Sequence, residues 1–272
     1  MKHINNILSI AGLDPSGGAG VIADIKTISS LGGYGCAIIT SLTSQNTQTV
    51  NNVNIIDTCF LNNQIDTLFN DVIIDSIKIG MLGNKEIVSL VANKLKKICP
   101  KYIVLDPVMI AKGGNVLTDN NTIKQIIVDL LPIVTCLTPN IPEAEILLER
   151  KINTVEQMKQ AAKMLKEFLP NNIHNKKWVM LKGGHLIGDM AIDIIYDGNQ
   201  LLELSTQKIF TKNTHGTGCT LSAAIATLLP IYHNPFLVAK IAKNYLFNSI
   251  KFANKLNVGK GHGPVHHFQQ WW

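Results

Sequence analysis

The sequence predicts an α/β fold: a doubly wound, mostly parallel sheet with one antiparallel hairpin late in the chain. Three observations carry this. Short apolar runs of strand length alternate with helical periodicity from Ile7 to Leu181. Each run ends in polar or glycine-rich residues, where open α/β sheets collect ligand contacts. Residues 191–196 and 201–204, joined through Asp197-Gly198-Asn199-Gln200, carry the signature of a hairpin. No repeat, low-complexity linker or composition break divides the 272 residues, so one domain over 1–272 is expected.

Residues 7–11 read as a buried first strand, followed by the loop Gly12 to Gly20 and a helix over 21–31. A strand, a glycine loop and a helix in that order also make a dinucleotide-binding turn. Here the G-x-G-x-x-G spacing is absent and Pro15 stands in the loop, which argues against a dinucleotide oxidoreductase. Val21, Ile25 and Ile28 form the apolar stripe of the helix, and Asp24 shares their face. A carboxylate there is costly unless paired. Asp24 is either a stripe-edge group reaching solvent or an acceptor aimed at a ligand N–H.

A second strand over 35–42 ends in Thr43-Ser44-Gln45-Asn46-Thr47. Gln45 can donate and accept at once, as reading a heteroaromatic ring requires, or it is a loop amide bonded to backbone. Residues 50–56 alternate like a small extra ribbon. Then come a helix over 59–70, a strand over 76–80, a helix over 85–98 and a strand over 102–105. Asp106 stands at the carboxyl end of that last strand, placed to hold a magnesium-bound water or to cap a turn. Residues 111–115, Ala-Lys-Gly-Gly-Asn, have the glycines of a hinged flap, with Lys112 to carry toward phosphates.

A helix near 121–131 leads to a strand over 133–137, ending in Thr138-Pro139-Asn140-Ile141-Pro142-Glu143. The Asn140–Glu143 spacing fits either a ligand site or plain helix capping. A helix over 154–168 and a strand over 178–181 follow, the latter closed by Lys182-Gly183-Gly184-His185. The stretch that organises the rest is Lys212 to Ser222, which lies between a β-rich run over 201–210 and a helix with apolar Leu221, Ala224, Ile225 and Leu228. Glycines on either side of Thr217 allow a tight turn. The amides of Gly218, Cys219 and Thr220 would face outward from the first helical turn, unpaired, at the positive end of the helix dipole. That is an anion site. A helix over 235–254 and a tail over 261–272 finish the chain. Among the tail histidines, His262, His266 and His267, packing is favoured over metal binding, because no carboxylate or cysteine stands beside them.

A net charge of +6, with lysines scattered rather than blocked, suits anionic small molecules and gives no nucleic-acid patch. Five cysteines without a C-x-x-C pair suggest neither a disulfide framework nor zinc, and fit reduced thiols in the cytoplasm. No apolar run approaches the roughly 18 residues that span a bilayer.

At this point the residues resemble a known family. Residues 11–20 with Asp24, 43–46, 78–82, 106–109, 138–140 with Glu143, 182–185, 213–219 and 263–267 are similar to the hydroxymethylpyrimidine/phosphomethylpyrimidine kinases of thiamine biosynthesis. These are ribokinase-like kinases with a three-layer α/β/α fold, and the resemblance runs nearly end to end. It implies two ATP- and Mg²⁺-dependent phosphorylations at one site and a homodimer. By motif match, Gly12, Asp24, Gln45, Met81, Val108 and Cys219 would surround the pyrimidine. Asp106, Asn140 and Glu143 would manage Mg²⁺ and its waters. Lys182, Asn140, Thr214 and Lys112 would lie along the nucleotide, and Gly216, Thr217, Gly218 and Cys219 would form the anion hole. Where related sugar kinases resemble a Gly-x-Gly-Asp pattern, this chain has a thiol. A cysteine at a helix N-terminus can have its pKa lowered, so Cys219 is either a thiolate base or a group packed on the ring. Base assistance of some kind is the expectation. The rival readings are a pyridoxal or pyridoxine kinase of the same superfamily and a non-catalytic pyrimidine-binding module.

Overall fold

The computed structural model describes residues 3–109, 118–171 and 176–272. Its centre is a nine-stranded sheet of β1 (Asn6–Leu13), β2 (Tyr34–Gln45), β3 (Val50–Ile55), β4 (Ser76–Ile79), β5 (Ile103–Leu105), β6 (Cys136–Leu137), β7 (Trp178–Leu181), β8 (Met190–Tyr196) and β9 (Leu201–Gln207), in the order β3-β2-β1-β4-β5-β6-β7-β8-β9. The six strands from β2 to β7 in that order are parallel. β3 returns antiparallel along β2, and β8 and β9 add the expected hairpin antiparallel to β7.

Alternation along the strands explains the layers. On β7, Trp178 and Met180 point into one core while Val179 and Leu181 point into the other. The first core holds α1 (Gly20–Ser30), α7 (Thr217–Tyr232) and α8 (Pro235–Lys251). The second holds α2 (Thr58–Phe69), α3 (Lys85–Ile98), α4 (Asn120–Gln125), α5 (Ile141–Leu148) and α6 (Val155–Glu167). Local signals set the ends of these helices. Asn84 caps α3 through Ile87 N–H at 2.9 Å, its apolar Ile87, Val88, Val91, Ala92 and Leu95 are buried, and Lys96 and Lys97 occupy its last turn.

Two expected boundaries move. The strand placed over 133–137 shrinks to Cys136–Leu137, because α4 runs on through a π-helical segment (Ile126–Leu130) into a 3-10 turn (Leu131–Ile133) containing Pro132. The last helix ends at Lys251 rather than 254, with a separate 3-10 turn at Ala253–Lys255.

Right-handed crossovers put α1 on one face and α2 and α3 on the other, so the winding direction reverses between β1 and β4. That switch point opens a crevice at the carboxyl ends of the strands, and α7 begins there.

Candidate active site

α7 starts at a left-handed residue. Gly216 has φ 77°, and a Cβ on it would stand 1.7 Å from the Gly18 carbonyl oxygen, so only glycine lets the two loops touch. The helix then turns into a sequence of small residues, Ala223, Ala224 and Ala226 among them, buried on all sides. The main-chain N–H groups of Thr217, Gly218 and Cys219 have no partner among the described residues. The expected trio is therefore shifted by one, because Thr220 N–H closes the first helical bond onto the Gly216 carbonyl at 2.9 Å.

Against this turn lies a chain of alternating charges. At its outer end Lys182, at the tip of β7, bonds Asp106 at 2.7 Å and stands 4.0 Å from Glu143. A Cβ on Gly218 would be 3.2 Å from Asp106 Oδ2 and 3.4 Å from Lys182 Nζ, so the turn that carries the free amides stands against this pair. Burial pulls the Lys182 ammonium down, but Asp106 and Glu143 more than offset it and hold it charged. Glu143 is buried, and burial lifts its carboxyl from 4.5 to about 7, with Lys182 opposing. Its Oε2 accepts from Asn140 N–H at 2.7 Å, and Asn140 Oδ1 accepts from Glu143 N–H at 2.9 Å. The capping box is thus present. It also presents the buried carboxylate to Lys182, so capping and site geometry coexist here.

At the inner end Asp24 neither reaches solvent nor stands alone. It is fully buried and bonded to Lys78 Nζ at 2.7 Å and to Ser9 Oγ at 2.6 Å, while its Oδ1 has no partner. Ser9 and Lys78 are register partners on β1 and β4. Burial alone would pull Lys78 down; Asp24, then Cys219 and Asp106, raise it instead. Cys219 sits between the two ion pairs. Burial pushes its thiol up to about 11, although Lys78 and the Gly20 N–H favour the thiolate. Desolvation opposes the lowering expected from the helix N-terminus, at a side chain that is itself half-buried.

On the sheet side, a Cβ at Gly12 would meet Ser41 Oγ at 2.6 Å and Met81 Cε at 2.7 Å, which places Gly12 and Met81 together. The Met81 carbonyl accepts from Thr40 Oγ1 at 2.7 Å. Gln45 is half-buried, and its Oε1 accepts from Thr43 Oγ1, which also bonds the Leu13 carbonyl at 2.9 Å. The Gln45 amide is therefore tied to a side chain of the same strand rather than to backbone. Val108 follows Asp106 closely, its N–H on the Asp106 carbonyl at 2.8 Å. Thr214 lies in the loop before α7, its N–H on the Lys212 carbonyl at 3.1 Å. Lys112 and the flap over 111–115 lie outside the described residues.

A sequence profile for phosphomethylpyrimidine kinase matches residues 14–266. The chain belongs to the phosphomethylpyrimidine kinase family. It is 44% identical, over the whole of both chains, to the hydroxymethylpyrimidine/phosphomethylpyrimidine kinase of Escherichia coli (strain K12). It is also 41% identical to the thiamine biosynthesis bifunctional protein ThiED of Geobacter sulfurreducens, with 96% of this chain matching 52% of that one. Among solved structures, the pyridoxal kinase from Staphylococcus aureus in complex with AMP-PCP superposes with a TM-score of 0.88 at 31% identity, covering 98% of this chain and 95% of that one. The fold of this phosphomethylpyrimidine kinase family member is thus the ribokinase-like three-layer α/β/α arrangement.

Two features of this family member went unassigned by sequence reasoning. Lys78 stands in a fully buried four-residue strand, Ser-Ile-Lys-Ile; a lysine there demands a buried carboxylate, and that was the available signal. The other is a contact between Asp14 and His215, 201 residues apart, which no local pattern reveals.

Proposed function

We propose that the chain, acting as one kinase domain over residues 1–272, transfers the terminal phosphoryl group of ATP to the hydroxymethyl group of 4-amino-5-hydroxymethyl-2-methylpyrimidine and then converts the monophosphate to the diphosphate, in thiamine biosynthesis. The observation that carries this reading is the row of unpartnered amides at Thr217–Cys219, in the turn that stands against the Asp106–Lys182 pair. Phosphoryl transfer needs positioning and charge stabilisation more than covalent help. Amides preset at a helix N-terminus provide that without reorganising during the reaction.

In the transfer, the substrate alcohol oxygen bonds to the terminal phosphorus, the bridging P–O bond to ADP breaks, and the alcohol proton passes to solvent water. Lys182 and the α7 amides receive the charge on the moving group. Gly12, Met81 and Val108 would wall the ring. The unpartnered Asp24 Oδ1 would accept from the exocyclic amine, with Gln45 reading the opposite edge; burial pushes the Asp24 carboxyl up and Lys78 opposes that push. With its thiol raised to about 11, Cys219 acts as a neutral group against the ring rather than a preformed thiolate. Thr214 and Asn140, and Lys112 from the flap, would line the nucleotide.

Among the described residues no three His, Cys, Asp or Glu side chains gather to hold a metal ion. The donors fit Mg²⁺ all the same, because this ion keeps several waters and binds through one or two carboxylates plus substrate phosphates. Asp106 and Glu143, two oxygen donors on either side of Lys182, are the residues that would hold it. When bound, it neutralises charge on the terminal phosphates.

Among the described residues no helix is long and apolar enough to cross a membrane. A cytoplasmic homodimer fits the free edge at β3, where Val53 and Ile55 are exposed. Light scattering checks the dimer. The test of function is purified protein with MgATP and the pyrimidine alcohol, mono- and diphosphate products being resolved, with pyridoxal assayed in parallel. The likeness to the Staphylococcus aureus pyridoxal kinase makes that second substrate the informative comparison. A marked preference for pyridoxal would overturn the substrate assignment. Tight pyrimidine binding without any phosphoryl transfer would favour the non-catalytic module.

A further inference from the structure

The α7 turn can stabilise a transferring phosphoryl group only if it is rigid before substrate arrives, yet it is a loop with glycines at 216 and 218. Its stiffness comes from His215, the residue just before it. The ring of His215 lies over the first glycine loop, so closely that a Cβ on Gly18 would stand 2.4 Å from His215 Cδ2. Nε2 is 2.7 Å from Asp14 Oδ2. Hydrogen bonds from His215 and from the Ser16 N–H outweigh burial and hold the Asp14 carboxyl below its usual range. Asp14 is therefore the acceptor, and Nε2–H donates. Asp14 in turn accepts from Ser16 N–H at 2.8 Å and Ala19 N–H at 3.0 Å, which fixes the loop that carries Gly12 and Gly20.

The backbone of the same histidine is held from the other side by the tail. His215 N–H donates to the Gly263 carbonyl at 3.0 Å, and Val265 N–H donates to the His215 carbonyl at 3.4 Å. One residue beyond the turn, Thr220 Oγ1 donates to the Gly216 carbonyl at 2.8 Å and lies 3.2 Å from His267 Nε2. The tail also reaches the β2–β3 hairpin, where His262 N–H bonds the Thr47 carbonyl at 2.9 Å. The tail histidines are thus part of a brace.

We propose that His215, clamped by Asp14, is a positioning residue for phosphoryl transfer: it locks the amides of residues 217–219 in register with Asp106 and Lys182. The kinetic part of this rests on the kinase reading above; the mechanical part does not. The experiment compares wild type, Asp14→Asn, His215→Leu, His215→Gln and Asp14→Asn/His215→Leu in two measurements. One is steady-state kinetics with MgATP and the pyrimidine alcohol. The other is amide hydrogen exchange resolved over residues 213–219.

For His215→Leu, the expected result is a fall in kcat of about 10- to 100-fold, the size of loss that a misplacement of about 1 Å produces. KM for the alcohol should stay within about threefold and exchange over 213–219 should quicken. Gln, which keeps a donor, should restore most of kcat, and the double variant should be no worse than the poorer single one. Unchanged exchange at 213–219 in His215→Leu overturns the clamp whatever the kinetics show. So does a kcat within twofold of wild type, a Gln variant as poor as Leu, or additive losses. If wild type transfers no phosphate while exchange still responds, the clamp stands and the kinase reading falls.

Discussion

Gly218→Ala separates folding from catalysis at this site. Gly218 lies in the first turn of α7 with no left-handed requirement, since the positive-φ glycines include Gly216 but not Gly218. Alanine in a helix is favoured over glycine by about 0.8–1 kcal/mol. The added methyl would sit 3.2 Å from Asp106 Oδ2 and 3.4 Å from Lys182 Nζ, a tight contact whose cost offsets part of that gain. The expected melting temperature is therefore within a few degrees of wild type. Catalysis should behave otherwise, because the methyl fills the space between the free amides and the ion pair, where the moving phosphoryl group must pass. Loss of one donor to developing charge lowers kcat by about 10²–10³, or about 2.7–4 kcal/mol, and the methyl blocks more than one. The assay is MgATP-dependent phosphorylation of the pyrimidine alcohol beside a thermal melt on the same preparation. A folded Gly218→Ala enzyme with kcat within threefold of wild type would refute the placement of the anion hole.

Gly216→Ala should instead fail by folding. Its φ of 77° and a Cβ position 1.7 Å from the Gly18 carbonyl require backbone movement, so a melt should show clear destabilisation, by at least about 1–3 kcal/mol. Lys78→Met leaves Asp24 buried without its partner and should cost about 3–5 kcal/mol in a urea titration, most of it recovered in Asp24→Asn/Lys78→Met. Glu143→Gln keeps an acceptor for the cap but removes a charge that burial resists. A carboxyl raised from 4.5 to about 7 favours the folded state fully below about 4.5 and loses that contribution as pH rises through about 7. The variant should therefore be more stable than wild type at pH 8, by on the order of 1–3 kcal/mol, and no different at pH 4, as melts at the two pH values will show. Cys219→Ala should raise KM for the pyrimidine and lower kcat less than tenfold, since a thiol near 11 is no base at neutral pH; a loss above 10² in kcat would restore the base role.

The sequence by itself determined the layered sheet, the hairpin, the turn before α7 and the strand ends at which Asp106, Asn140 and Lys182 stand. These follow from short-range pattern: apolar period, glycine placement, and the polar residue that ends each buried strand. It also offered capping as one of two roles for Glu143, because capping is a three-residue relation. What it left open at Asp24, Cys219 and His215 depends on partners far away in the chain. Asp24 is tolerated in the core only because Lys78, 54 residues on, is buried against it. Cys219 loses its thiolate character to burial, which no helix position reveals. His215 acts through Asp14, 201 residues earlier, and through the tail. The sign of a charge–charge or desolvation effect depends on which groups share a low-dielectric space, and only the packing of α1, α7 and the tail against the sheet assembles that space.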